Sequence, residues 1–187
     1  LPLIWQYTPN LKKRNFSSFL SLTLVFIITA VPSVFAYLMY GQNCEGNILK
    51  NFSDKDVLIV EGVYSRSGVG NDLFQGAKSV ERIICPSRNA YKKYEVILDA
   101  VRRHGADKLI LLMLGPTAKV LACDLANEGY WAIDIGHIDS EYEWYRIGAT
   151  HKMKFKNKHT AEFNFDEHIE LQNDDTYVRE IVETLSD

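Results

Sequence analysis

Cysteine is scarce in this 187-residue sequence and follows no pattern. Cys44, Cys85 and Cys123 form no Cys-x-x-Cys pair and no spaced framework, which excludes a disulfide scaffold and favours a reducing compartment. Cys85 and Cys123 lie in apolar runs and are expected to be buried, each as a small hydrophobe. Surplus positive charge is missing as well. At a net charge of −3 there is nothing to neutralise phosphates in bulk, so nucleic acid is excluded as the main partner. There is no internal repeat and no low-complexity tract. Apolar residues at 47% and charged residues at 24% are ordinary for a globular protein with a real core.

Charge disappears altogether between Phe16 and Tyr40, and Phe19 to Val31 is almost continuously apolar. Lys12, Lys13 and Arg14 precede this run. Such a length and flank fit a membrane-spanning helix, and Val34-Phe35-Ala36 would pass for a signal-peptidase site. Pro32 and the hydroxyl residues between Ser17 and Thr23 speak against both. A buried helix, or a strand pair around Pro32, is equally open. Residues 16–40 are therefore the candidate for membrane contact, and the chain is expected in the cytoplasm, either free or membrane-associated. Residues 1–53 read as an atypical N-terminal segment, and residues 54–187 as the functional domain.

Beyond this segment the pattern becomes regular. Asp56-Val-Leu-Ile-Val-Glu-Gly62 is a short apolar run ending in glycine, as in a strand buried on both faces. Arg82-Ile-Ile-Cys-Pro86, Lys108-Leu-Ile-Leu-Leu-Met-Leu-Gly115 and Trp131-Ala-Ile-Asp-Ile-Gly136 repeat the form. Between them, Tyr91 to Arg103 and Thr117 to Asn127 carry apolar residues at helical spacing, with Gly105 and Gly129 as stops. Strands alternating with helices predict an α/β fold: a Rossmann-like, mostly parallel sheet flanked by helices.

Ligands of open parallel sheets bind beyond the carboxyl ends of the strands. After the first run comes Ser65-Arg66-Ser67-Gly68-Val69-Gly70-Asn71-Asp72, whose glycines let backbone N–H groups cradle phosphate while Arg66 reaches a diphosphate. After the second, Ser87 or Asn89 could cap the next helix. After the third, Gly115 leads into Thr117 at a helix N-terminus suited to an anion. After the fourth come His137, Asp139, Glu141 and Glu143. If that loop is extended, its three carboxylates point one way, where paired carboxylates suit a divalent cation bridging phosphates, and a third, or His137, could be a general base. If it is helical, Asp139 and Glu143 share a face and Glu141 points elsewhere. Each loop alone has a plain structural reading, as a turn, a helix cap or an acidic first turn. Their convergence on one edge is what those readings leave unexplained.

The same residues carry a family resemblance. Val60-Glu-Gly62, Ser65-Arg66, Gly68-Val-Gly-Asn-Asp-Leu-Phe74, Cys85-Pro-Ser87, Asn89-Ala90, Leu114-Gly-Pro-Thr-Ala118 and Asp134-Ile-Gly-His-Ile-Asp139 with Glu141-Tyr-Glu-Trp144 resemble the bacterial GT-D fold glycosyltransferases, once domain of unknown function 1792. The match runs from about Asp54 to about Lys158. It implies a UDP-sugar donor, a divalent metal such as manganese, and transfer to a glycan or glycoprotein acceptor in surface glycan assembly. By position, Gly68, Gly70, Asn71 and Asp72 would line the donor site, with Ser87 and Asn89 near the nucleotide. His137 and Glu143 would lie at the reaction centre, and Asp139 with Glu141 would be left to hold the metal.

The family's Arg-Phe-Gly-Asp-Gly-Glu stretch, whose Asp-x-Glu is associated with that metal, is nowhere in this sequence, although Tyr7 to Arg14 resembles the family's residues just after that stretch. Position 63 is Val where the family usually has Glu or another polar residue. The chain is accordingly expected to be incomplete or altered. Its expected function is glycosyl transfer, with a binding-only remnant of the family as the alternative. A nicotinamide-dependent oxidoreductase is weaker, because Gly-x-Gly-x-x-Gly is incomplete after the first run and Pro86-Ser87, with no acidic residue, ends the second.

Overall fold

The structure is a computed structural model that describes residues 11–40, 52–160, 163 and 168–185. Cys44 and residues 7–10 lie outside the described residues. Cys85 is buried as expected, but Cys123 is exposed, because the helix Pro116–Asn127 that carries it buries Ala118, Leu121 and Leu125 instead. The chain divides into two compact units, Leu1–Gly46 and Asn47–Asp187.

In the first unit, α1 (Leu11–Tyr40) is one helix that continues through position 32, so a strand pair around Pro32 does not form. Phe16, Phe19 and Phe26 along it are exposed rather than buried. Among the described residues, no helix is long and apolar enough to cross a membrane.

The second unit is built on β1 (Asp56–Gly62), β2 (Ser79–Cys85), α2 (Tyr94–His104), β3 (Leu109–Met113), α3 (Pro116–Asn127), β4 (Trp131–Asp134), α4 (Ile138–Arg146), α5 (Asp175–Glu180) and β5 (Ile181–Thr184). The five strands form one parallel sheet in the order β4-β3-β1-β2-β5, as the α/β reading predicts. Strand β5 has no counterpart among the strands expected from the sequence. It pairs with β2 through Arg82 and Ile181 at a register shift.

Strand alternation sorts the apolar side chains to two faces. Leu58, Val60, Ile83, Cys85, Ile110 and Leu112 pack against Ile97 and Val101 of α2 and Leu121 and Leu125 of α3. Val57, Ile59, Leu109 and Leu111 point the other way and meet Phe52, Leu73 and Phe74, with Ile138 and Tyr142 of α4 beside them. Right-handed crossovers explain the division. The β2-to-β3 and β3-to-β4 connections run in one direction across the sheet, which places α2 and α3 on the same face. The β1-to-β2 connection runs in the opposite direction and lies on the other face, where it has no helix. Phe52 belongs to that second core, so the α/β unit begins earlier than residue 54.

One polar cluster interrupts the core. Glu61 and Arg82 are buried on adjacent strands and joined at 2.8 Å, and Arg82 Nε reaches Glu180 Oε2 at 2.7 Å. Burial works against the Arg82 charge, but Glu61 and Glu180 outweigh it and hold the guanidinium above its ordinary range. Tyr177 lies between two guanidinium groups, 4.5 Å from Arg66 and 4.7 Å from Arg82. Glu61 also accepts the Ser67 N–H at 2.8 Å, so the buried pair anchors the glycine loop to the sheet.

Candidate functional site

The strand order reverses between β1 and β3, and their following loops part there. Between them opens a cavity of about 400 Å³ at the carboxyl edge of the sheet. Ser65 comes from the loop after β1, Ser87 and Asn89 from that after β2, Gly115 and Thr117 from the start of α3, and His137 and Asp139 from the start of α4. Four loops that are distant in sequence thus share one wall.

Local conformation turns each loop toward that space. Gly115 has φ 55 and ψ −136, a backbone shape that only glycine adopts readily, and it delivers Pro116 directly as the first residue of α3. Asn89 has left-handed φ 53; its carbonyl accepts the Lys92 N–H, its side chain makes no cap bond, and the residue lines the cavity. His137 precedes α4, likewise without a side-chain cap bond. Burial first, then the neighbouring His159 and Lys152, hold the His137 imidazole below its ordinary pKa, against the pull of Asp134 and Glu141. The rings of His137 and His159 lie 5.9 Å apart, and both line the cavity.

The glycine loop is turned elsewhere. Gly68, Gly70, Asn71 and Asp72 line a second, more open cavity of about 440 Å³ with Arg82, Arg146 and Tyr177. Arg66 faces neither cavity. It is buried, donates from Nη2 to the Gln172 carbonyl at 2.6 Å, and covers the Tyr177 ring. Its chemistry suits a diphosphate, but its position makes it a clamp between the loop and α5. Asp72 accepts the Tyr142 hydroxyl at 2.8 Å, which keeps its carboxyl below the usual range.

The acidic segment is helical, so of the two geometries open to it, the helical one is found. Asp139 is buried, and both its oxygens are engaged. Oδ1 accepts the Gly68 N–H at 2.7 Å and Asn71 Nδ2 at 2.8 Å, and Oδ2 accepts Lys158 Nζ at 2.9 Å. Glu143 shares that face: its Oε1 accepts Asn71 Nδ2 at 2.8 Å and lies 3.5 Å from Lys158 Nζ. Glu141 points away, exposed and 3.8 Å from Lys152. A divalent metal needs several oxygen ligands with lone pairs to give. Three donors already engage the two Asp139 oxygens, and Glu141 is not beside it. Among the described residues, no three His, Cys, Asp or Glu side chains are grouped to hold a metal ion. Among the described residues, Asp139 and Glu141 do not together fit a divalent metal.

Two side chains of the site, Lys158 and His159, carry no signal in the sequence. They lie on a strap over the loops: the His159 N–H donates to the Tyr64 carbonyl at 2.6 Å, and Trp144 Nε1 donates to the Met153 carbonyl at 3.0 Å. Lys156-Asn-Lys-His-Thr160 has no periodicity to betray it, and a lysine is by default solvated.

The family described as "Glycosyltransferase GT-D fold" matches residues 39–163. The chain is similar to "Probable glycosyl transferase Gly" of Streptococcus gordonii, 64% identical over 135 residues, covering 72% of this chain and 20% of that protein. It is 53% identical over 131 residues to "Glycosyltransferase GlyD" of Streptococcus pneumoniae, covering 70% of this chain and 16% of that one. A solved structure described as "A New Glycosyltransferase (DUF1792) from Streptococcus sanguinis" superposes with a TM-score of 0.71 at 64% identity, over 73% of this chain and 51% of its own. A second, described as having "a distinct glycosyltransferase fold", gives 0.72 at 57% identity over 73% and 50%. The chain therefore spans about half the length of these solved relatives and a fifth or less of the curated ones.

Proposed function

Because the chain belongs to the GT-D fold glycosyltransferase family, we propose that its α/β unit binds a UDP-sugar in the cavity between β1 and β3 and supports transfer to a hydroxyl of a glycan or glycoprotein acceptor. The observation that carries this reading is the meeting of four strand-end loops on one wall, with a helix N-terminus and an imidazole among them. The nucleotide lies along Ser87, Asn89 and Tyr91, and the diphosphate faces Gly115 and Thr117 at the positive end of the α3 dipole. His137, held neutral near pH 7, faces the sugar and accepts the acceptor's proton. The acceptor oxygen forms its bond to the anomeric carbon as the bond to the diphosphate breaks, and UDP departs. Glu143 acts through Asn71, which also holds Asp139, and so fixes the glycine loop. UDP-sugars are made in the cytoplasm, and we place the activity there.

Binding without transfer is the second reading. It is favoured by the engagement of the Asp139 oxygens, because a diphosphate that leaves without a bridging cation leaves with its charge poorly stabilised.

Thermal shift and calorimetry with UDP and with NAD, beside a donor-hydrolysis assay, separate the cases. UDP is expected to bind and to raise the melting temperature by mass action, and NAD is not. His137→Gln is expected to keep UDP affinity and to lose hydrolysis. Stabilisation by NAD alone overturns the glycosyltransferase reading, whereas UDP binding with no turnover selects the binding-only one.

A further inference from the structure

We propose that the Lys158 ammonium is the built-in cation of this site, standing where the Asp139 and Glu143 carboxylates converge and doing there what a bound metal ion would do.

Lys158 is 2% exposed, and lysine is almost never buried to that degree unless it is paired. Its ammonium has three protons to give. Its Nζ lies 2.9 Å from Asp139 Oδ2, 2.9 Å from the Val69 carbonyl and 3.5 Å from Glu143 Oε1. These are the partners a hard cation would choose: two carboxylates and a backbone carbonyl. Asn71 Nδ2 binds both carboxylates from the other side, at 2.8 Å each, so the two acids are held between an amide and an ammonium. Arg146 supplies the remaining charge at the edge, 4.0 Å from Glu143 and 3.7 Å from Asp72.

The strap that delivers Lys158 is itself secured. Phe155 stacks on Trp144 with ring centroids 6.0 Å apart, the Phe155 N–H donates to Thr160 Oγ1 at 2.9 Å, and the next residue, His159, is tied to the loop after β1 through Tyr64. Lys158 thereby joins three separate pieces of chain: the glycine loop at Val69, the helix α4 at Asp139 and Glu143, and the strap. A divalent ion entering this cluster would have to displace the ammonium or lie against it, and like charges in a partly desolvated place repel strongly. Lys158 is a positioning residue, and it holds these groups whichever donor fills the neighbouring cavity.

The test is a manganese titration of the full chain without nucleotide, followed by the electron paramagnetic resonance signal of free Mn²⁺. The wild type is expected to withdraw no manganese that Asp139→Asn fails to withdraw. Lys158→Met leaves the two carboxylates without their cation and is expected to gain one site, with at least roughly tenfold tighter manganese binding than the wild type. That gain should vanish in the Lys158→Met, Asp139→Asn double variant, and Lys158→Arg, which keeps the charge, should show none. A folded Lys158→Met that gains no manganese overturns the proposal. If Lys158→Met does not fold, the wild-type arm still decides: manganese binding by the wild type that Asp139→Asn abolishes would show Asp139 to be a metal ligand with Lys158 set aside.

Discussion

At the scale of single residues, chemistry and address are separate properties, and this site shows both agreements and partings. His137 has the right chemistry at the right address. Its depressed pKa also carries a consequence for stability. In the unfolded chain a histidine titrates near 6.5, and in the fold His137 titrates lower because of its burial and of His159 and Lys152. Between those two values the unfolded state binds more protons, so stability falls as pH drops below 6.5. His137→Gln is therefore expected to show a shallower loss of denaturation midpoint in that window than the wild type. Equal slopes would mean that the imidazole is protonated as readily in the fold as out of it. Arg66 is the opposite case. Its residue type and loop composition point to a diphosphate, yet the aromatic face that captures it, Tyr177, lies more than a hundred residues away in sequence, where local reading cannot see it. Lys158 is hidden for the same reason: its three partners lie on other segments.

At the scale of elements, legibility tracks burial. Strands β1 and β3 are buried along most or all of their length, so they stand out as continuous apolar runs. Strand β5 is a four-residue edge strand with alternating exposure, and its Ile-Val-Glu-Thr offers too little signal to separate it from a helix end. The acidic segment can be read either as extended, by its alternating carboxylates, or as helical. Trp144 four residues after Ser140, both buried, is the clue that favours the helix. Within the glycine loop the two glycines are not equivalent. Gly68 and Gly70 have φ of 81 and 80, but a Cβ added at Gly68 would lie 2.7 Å from the Phe74 ring, whereas at Gly70 it meets nothing within 4 Å. Gly70→Ala is expected to cost about 1–2 kcal/mol, from its backbone alone. Gly68→Ala should cost about 1–3 kcal/mol more, through overpacking, as measured by chemical denaturation. Equal costs would mean that Phe74 can turn aside despite its packing on Phe52.

At the scale of the whole molecule, both apolar clusters belong to the unit Asn47–Asp187. Residues 47–187 expressed alone are expected to unfold in one cooperative thermal transition, followed by far-ultraviolet circular dichroism. A broad, featureless melt would instead make the first unit part of the folding unit. The sheet also has an order of assembly written into it. Strands β1, β2 and β3 draw on neighbours close in sequence. The pairing of β2 with β5 joins Arg82 to Ile181 and Ile84 to Thr184, the most distant partners in sequence of any strand pair, and so bears the largest loop-closure entropy in the sheet. In kinetic terms β5 is expected to dock late, after Glu61 and Arg82 have met on adjacent strands. For that interval Arg82 holds one carboxylate and awaits the other, and the outer edge of β2 is an open template for any passing strand.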